Sequence, residues 1–161
     1  MNKNKTYKSK LIDIVNLNTY FFTSNGIVKA VNGMNLNVSE GEILGLVGES
    51  GSGKTITGYS ILGLIDYPGR IVSGEILFKN ENLINFDNNR LRLLRGNRIS
   101  MIFQDPMMTL NPVLRIDTQM IDTVIAHQQL SKSTAKKMAL NILEKLGVDS
   151  PEQRIKSYPH E

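Results

Sequence analysis

The feature that most constrains this chain is an eight-residue stretch with the full phosphate-binding pattern G-x-x-x-x-G-K-[ST]. It reads Gly48-Glu49-Ser50-Gly51-Ser52-Gly53-Lys54-Thr55. Glycines adopt backbone conformations closed to other residues, so successive N–H groups can face one concavity and hold a phosphate at the start of a helix. Lys54 would extend a cation toward the β- and γ-phosphates, and Thr55 would offer a hydroxyl to Mg²⁺. All eight residues are therefore predicted to bind a nucleotide; the alternative is a chance match in a glycine-rich loop.

The residues on either side of this loop supply the strand and the helix that the pattern needs. Residues 42–47 are nearly all apolar, as expected for a central strand covered on both faces, and residues 56–65 have the composition of a helix. Apolar and β-branched runs predict further strands, at 11–17 (extended by 20–22 toward a turn at Asn25-Gly26), 27–31, 34–38, 71–78 and 98–103. A short helix is predicted at 90–94. The first part of the chain is thus predicted to be rich in strands.

After Pro112 the pattern changes to helix. Apolar residues follow the i, i+3, i+4, i+7 rule of a buried helix face, at Ala135, Met138, Ala139, Ile142, Leu143 and Leu146. Ser131 or Ser133 is the expected N-cap, and Gly147 lies just past the expected end. Ser150-Pro151 predicts a second helix start, with serine as the cap and proline at the first helical position. A β-rich part followed by an α-helical part indicates an α/β fold.

Composition narrows the class of protein. The chain has 161 residues, enough for one domain, and no cysteine, which excludes disulfides and thiolate metal sites and fits a reducing compartment. Its basic start is interrupted at Asp13, and no apolar run reaches about 18 residues, so we expect an unprocessed, soluble, intracellular chain. The net charge of +4 is most simply explained by a solvated, lysine-rich surface. Because no basic stripe is interleaved with aromatic residues, we expect no nucleic-acid partner.

A second segment is similar to a known family. Residues 101–112, Met-Ile-Phe-Gln-Asp-Pro-Met-Met-Thr-Leu-Asn-Pro, resemble the Q-loop of ABC ATPases, in particular the dipeptide and oligopeptide importer branch with its nickel relatives. Residues 41–47, 74–78 and 158–161 resemble that family too, so the likeness runs from about Leu11 to the last residue. It implies a P-loop NTPase fold of the ABC type, with a parallel core sheet and the start of an α-helical subdomain, truncated. The implied division is a basic tail at 1–10, an ATP-binding core at 11–106, and the Q-loop with the helical subdomain at 107–161.

The resemblance also implies roles for individual residues. Gln104 would reach Mg²⁺ or the attacking water and link the nucleotide site to a membrane partner, so it joins Lys54 as a catalytic candidate and Thr55 as a metal ligand. The alternative is a glutamine that merely ends a strand and satisfies backbone groups. Phe21 is the best match for the aromatic ring on which this family stacks adenine, with Tyr20 and Phe22 as competitors; each is equally well explained as a core aromatic. Stacking of this kind contributes about 1–3 kcal/mol per base in nucleic-acid systems.

The function implied is that of an ATP-binding subunit that couples ATP binding and hydrolysis, with Mg²⁺, to peptide uptake. Such a subunit lies at the cytoplasmic face of the membrane. Its partners are transmembrane permease subunits, a second ATP-binding subunit and, indirectly, an extracytoplasmic substrate-binding protein. The family's Leu-Ser-Gly-Gly signature and its later acidic strand do not occur within the 161 residues. Since both support hydrolysis, we expect the chain by itself to be catalytically incomplete. The alternative is a truncated, non-hydrolysing fragment without a transport role.

Overall fold

The computed structural model describes residues 9–104 and 109–161. The chain divides into two compact units, Met1–Arg95 and Gly96–Glu161. Most of the predicted basic tail and the predicted boundary after residue 106 lie outside the described residues. The functional division at that boundary stays a prediction.

The first unit is built on an antiparallel sheet. Its strands are β1 (Lys10–Thr23), β2 (Gly26–Ser39), β3 (Gly69–Phe78) and the short β4 (Glu81–Asn82), in the order β2-β1-β3-β4. The strands predicted at 11–17, 27–31, 34–38 and 71–78 are confirmed, and β1 and β2 are joined by the expected tight turn. Ile14, Leu17 and Ile76 are fully buried and form the centre of the unit's apolar core.

Helix α1 (Lys54–Leu62) packs on this sheet. It buries Thr57, Ser60 and Leu62, and the Ser60 hydroxyl lies 2.9 Å from the Thr19 hydroxyl of β1. The helix starts two residues before the predicted 56–65 and ends at Gly63, whose left-handed conformation (φ 62°) stops it. After a 3-10 turn (Leu83–Asn85) comes helix α2 (Asn88–Leu94), which confirms the short helix predicted at 90–94.

Two predicted strands, 42–47 and 98–103, are wrong for this structure, and the sheet of the described residues is antiparallel throughout, without the parallel core sheet that the resemblance implied. The side chains of Ile43 and Val47 are 99% and 95% exposed, although the sequence predicted a strand covered on both faces. A strand forms only where a neighbour pairs with its backbone. Within the described residues, the one backbone hydrogen bond from 42–47 is donated by Glu42 to Ser39 at its edge. An apolar composition therefore did not suffice to make these segments strands.

The second unit is helical, as predicted. It contains α3 (Ile116–His127), α4 (Lys132–Lys145) and the short α5 (Pro151–Arg154). The hydroxyl of Ser131 accepts from the backbone of Thr134 at 3.2 Å, so Ser131 rather than Ser133 caps α4. Three buried apolar residues form the core of this unit: Ala135, Ala139 and Ile155. Among residues 9–104 and 109–161, no helix has both the length and the apolar composition to cross a membrane.

Candidate nucleotide-binding site

The predicted phosphate loop lies against strand β2. Gly51 and Gly53 have φ of 83° and 88°, in the left-handed region that side chains disfavour. A Cβ placed on Gly53 would collide with the Ala30 carbonyl oxygen and lie 3.4 Å from a methyl of Val31. The main chain at Gly53 therefore approaches β2 more closely than any residue with a side chain permits. Helix α1 begins at the next residue, Lys54.

Lys54 is folded back onto the loop. Its Nζ donates to the carbonyl oxygens of Gly48 and Glu49, both at 2.7 Å, and to the Ser52 hydroxyl at 3.1 Å. These three bonds use all the donors of one ammonium group. Oxygen atoms of the loop therefore surround the charged end of Lys54. An anion that reaches the loop meets this positive charge together with the N-terminal dipole of α1, and no acidic residue occupies the first turn of that helix.

Two threonines of α1 have different surroundings. Thr55 is exposed at the first turn, where its hydroxyl is accessible to a cation. Thr57 is buried, and both its backbone N–H and its hydroxyl donate to the Gly53 carbonyl, at 2.8 and 3.0 Å. The Thr57 hydroxyl also lies 3.2 Å from the sulfur of Met34 in β2. Thr57 thus fixes the loop to the sheet and leaves Thr55 as the candidate metal ligand.

A pocket of about 490 Å³ adjoins the loop. It is lined by residues of β2, of the segment before the loop, of the loop and of α1: Lys29, Ala30, Val31, Asn32, Met34, Leu46, Val47, Gly51, Ser52, Lys54 and Thr57. Two of these residues are lysines and none is acidic. This charge favours a polyphosphate over a cationic or neutral ligand. Lys29 and Asn32 are not part of the loop pattern, and no motif in the sequence pointed to them.

The three candidate aromatic residues have different positions. Phe21, the predicted adenine platform, pairs with Gly69 of β3 and its ring lies beside that glycine, and it is not among the described residues that line the pocket. The hydroxyl of Tyr20 donates to Asn32 at 2.7 Å, and the ammonium of Lys29 lies 5.6 Å from the centre of the Tyr20 ring. Tyr20 is therefore the aromatic residue that contacts two lining residues.

The centre of the Phe22 ring lies 4.3 Å from the guanidinium of Arg70, which is not among the residues that line the pocket. Adenine stacking on Phe21 stays a prediction. Of the eight loop residues, Gly51, Ser52 and Lys54 line the pocket, and Phe21 does not.

Gln104 belongs to the second unit, where it is exposed at a bend. The following residues 105–108 lie outside the described residues. Its proposed contact with Mg²⁺ or water stays a prediction.

Comparisons with known proteins agree on one family. The family model described as "ABC transporter" matches residues 31–161. The oligopeptide transport ATP-binding protein AppD of Bacillus subtilis is 43% identical over 153 residues, which are 94% of this chain and 47% of that protein. The dipeptide transport ATP-binding protein DppD of Escherichia coli is 36% identical, over 94% of this chain and 46% of that protein. The chain thus spans about half the length of the curated relatives it matches.

Solved structures show the same fold. The dimeric ABC transporter cassette MJ0796 superposes with a TM-score of 0.79 at 24% identity, over 92% of this chain and 62% of that one. CbiO1 of Clostridium perfringens, part of the complex cbiONQ, gives 0.64 at 24% identity, over 95% and 55%. These likenesses confirm the predicted ABC-type fold for a chain that is shorter than those cassettes.

Proposed function

The chain belongs to the ABC transporter family, and we propose that it binds ATP with Mg²⁺ and supplies the energy for peptide uptake. The observation that carries the proposal is the Lys54 ammonium, held by three oxygens of the phosphate loop beside a pocket without acidic lining. In this proposal Lys54 moves toward the β- and γ-phosphates, and backbone N–H groups of residues 48–55 hold the nucleotide. The exposed Thr55 hydroxyl ligates Mg²⁺.

Peptide uptake is proposed on the names of the relatives, which are oligopeptide and dipeptide transport ATP-binding proteins. By the same likeness, the partners are transmembrane permease subunits, a second ATP-binding subunit and, indirectly, a substrate-binding protein. The place of action is then the cytoplasmic face of the membrane. Gln104 is proposed to order the attacking water, and Phe21 to stack on adenine, with Tyr20 as the alternative.

The surface proposed to meet the permease is the loop 110–114 between Gln104 and α3. Its apolar side chains are exposed: Leu110 is 36%, Val113 75% and Leu114 41% exposed. Exposed apolar residues that lie close together often mark an interaction site. This loop is called the docking loop below.

The test is binding of a fluorescent ATP analogue to Lys54→Ala. Charge-assisted hydrogen bonds of this kind are worth about 1.5–3 kcal/mol, so affinity should fall roughly 10- to 100-fold. Lys79→Ala is the matched control, since Lys79 belongs to the same unit, is half exposed and is not among the pocket-lining residues. Circular dichroism confirms that both variants fold. Equal affinity of Lys54→Ala and the unmodified chain would refute the site.

The same preparations test whether the chain by itself hydrolyses ATP. Because the chain alone is expected to be catalytically incomplete, we expect no Lys54-dependent release of phosphate at steady state. The expected deficit is large, since a general base typically contributes about 10²- to 10⁴-fold. Clear Lys54-dependent release would contradict this expectation and would exclude the non-hydrolysing alternative.

A further inference from the structure

The docking loop is held by one side chain of α3. The Gln119 amide oxygen accepts from the backbone N–H of Asn111 at 2.9 Å, and the Gln119 amide nitrogen donates to the Asn111 carbonyl at 3.0 Å. The same nitrogen donates to the Leu114 carbonyl at 3.0 Å. Both polar atoms of Gln119 are therefore engaged with the main chain at the two ends of the turn.

Bonds within the loop complete its shape. The Asn111 side-chain oxygen accepts from the N–H of Val113 at 3.1 Å, and the N–H of Leu114 donates to the Asn111 carbonyl at 3.2 Å. The loop thus has a defined turn, although Val113 at its tip is 75% exposed. An exposed apolar side chain contributes no burial free energy to the conformation of its loop. The polar bonds described above therefore fix the conformation of the docking loop.

The start of helix α3, which follows the docking loop, is hydrogen-bonded to the segment around Ile155. The first N–H groups of a helix have no partner within the helix. Here Ile116 donates to the Ser157 carbonyl at 3.0 Å, and Asp117 donates to the Ile155 carbonyl at 2.7 Å. Because the side chain of Ile155 is fully buried, the start of α3 is joined to a fixed part of the unit. Gln119 extends this anchorage to the docking loop.

We propose that Gln119 is a positioning residue that pre-organises the docking loop for an apolar surface of a transmembrane permease subunit. The inference rests on the proposed function, because the occupant is the permease. An ordered loop pays less conformational entropy when it binds than a loop that must order on contact. Only a side chain with both a donor and an acceptor can serve Asn111 N–H and the two carbonyls together. Glutamine at this place meets that need, whereas methionine has the same length without those bonds.

The test combines an exchange measurement on the chain with cross-linking in the assembled transporter. Hydrogen exchange followed by NMR reports the Asn111 amide, which should exchange at least about 10-fold faster in Gln119→Met, because one lost hydrogen bond exposes that N–H. Gln129→Met is the matched control, since Gln129 is an exposed glutamine of the same unit. Gln119→Glu is a second variant that keeps an acceptor and loses both donors.

The chain has no cysteine, so a photo-reactive maleimide attached at Val113→Cys labels one place. In membranes that hold the permease subunits, cross-linking to them is expected to fall at least about 5-fold in Gln119→Met and Gln119→Glu and to stay unchanged in Gln129→Met. Binding of the ATP analogue should be the same in all of them, which separates loss of positioning from loss of folding.

Unchanged exchange at Asn111, or faster exchange with undiminished cross-linking, would overturn the role of Gln119 while the permease proposal survives. Absence of cross-linking in the Val113→Cys chain that retains Gln119 would instead overturn the permease as the occupant of the docking loop. The proposed role of Gln119 would then fail with it. Retained ATP-analogue binding in that case would show that the nucleotide site is unaffected.

Discussion

Replacing Gly53 by alanine is expected to lower the free energy of unfolding of the first unit by about 2–5 kcal/mol. One part is the backbone: Gly53 has φ of 88°, and the left-handed conformation costs a residue with a Cβ roughly 1–2 kcal/mol. The other part is overpacking. The added carbon would overlap the Ala30 carbonyl oxygen and lie 3.3 Å from its carbon, and such insertions typically cost about 1–3 kcal/mol. Since whole domains are stable by only ~5–15 kcal/mol, the effect is large.

Gly51→Ala separates the two parts. Gly51 has a similar φ of 83°, but nothing lies within 4 Å of its added Cβ, so only the backbone cost of roughly 1–2 kcal/mol applies. Urea unfolding followed by circular dichroism and tyrosine fluorescence gives both values. With a slope of ~1–3 kcal/mol per molar urea, the two midpoints should differ by about 1 M. Equal destabilisation by both substitutions would refute the close approach of the phosphate loop to β2.

Two further substitutions test how α1 is held, each by urea unfolding. Ser60→Ala should cost about 1–3 kcal/mol, because it leaves the fully buried hydroxyl of Thr19 without its partner at 2.9 Å; a change below 0.5 kcal/mol would mean that the pair contributes nothing. Arg95→Ala should cost about 1–3 kcal/mol, because the Arg95 guanidinium donates to the carbonyls of Leu62 and Gly63, both at 2.7 Å, at the end of α1. Arg92→Ala, an exposed arginine of α2, is the control and should stay within about 0.5 kcal/mol; equal effects of the two would contradict the capping role.

Local signals were enough to predict most of the helices and the hairpin. The turn between β1 and β2, the Ser131 cap of α4 and the start of α5 at Pro151 each depend on a few neighbouring residues. The predicted cap of α5 is wrong: Ser150 precedes the helix with φ of 50°, and its side chain makes no capping hydrogen bond. Pro151, whose ring fixes φ near the helical value, occupies the first helical position as predicted.

Segments whose structure depends on distant partners were predicted less well. Residues 42–47 have the composition of a buried strand, but strand formation requires a neighbour to accept and donate hydrogen bonds, and composition does not report whether one is present. Phe21 shows the same limit for the site. The sequence places it near other aromatic residues, whereas its position beside Gly69 comes from the pairing of β1 with β3.

By itself, the sequence indicated the family and predicted the chemistry of the phosphate loop, because the roles expected of the glycines, Lys54 and Thr55 depend on backbone freedom and charge that are encoded within eight residues. Tertiary structure alone decided that Gly53 lies on Ala30, that Lys29 and Asn32 line the pocket, and that Gln119 holds the docking loop. Each of these contacts joins different elements or a helix to a loop beside it. Their geometry depends on how strands pair and helices pack, and that information is not contained in any short stretch of the chain.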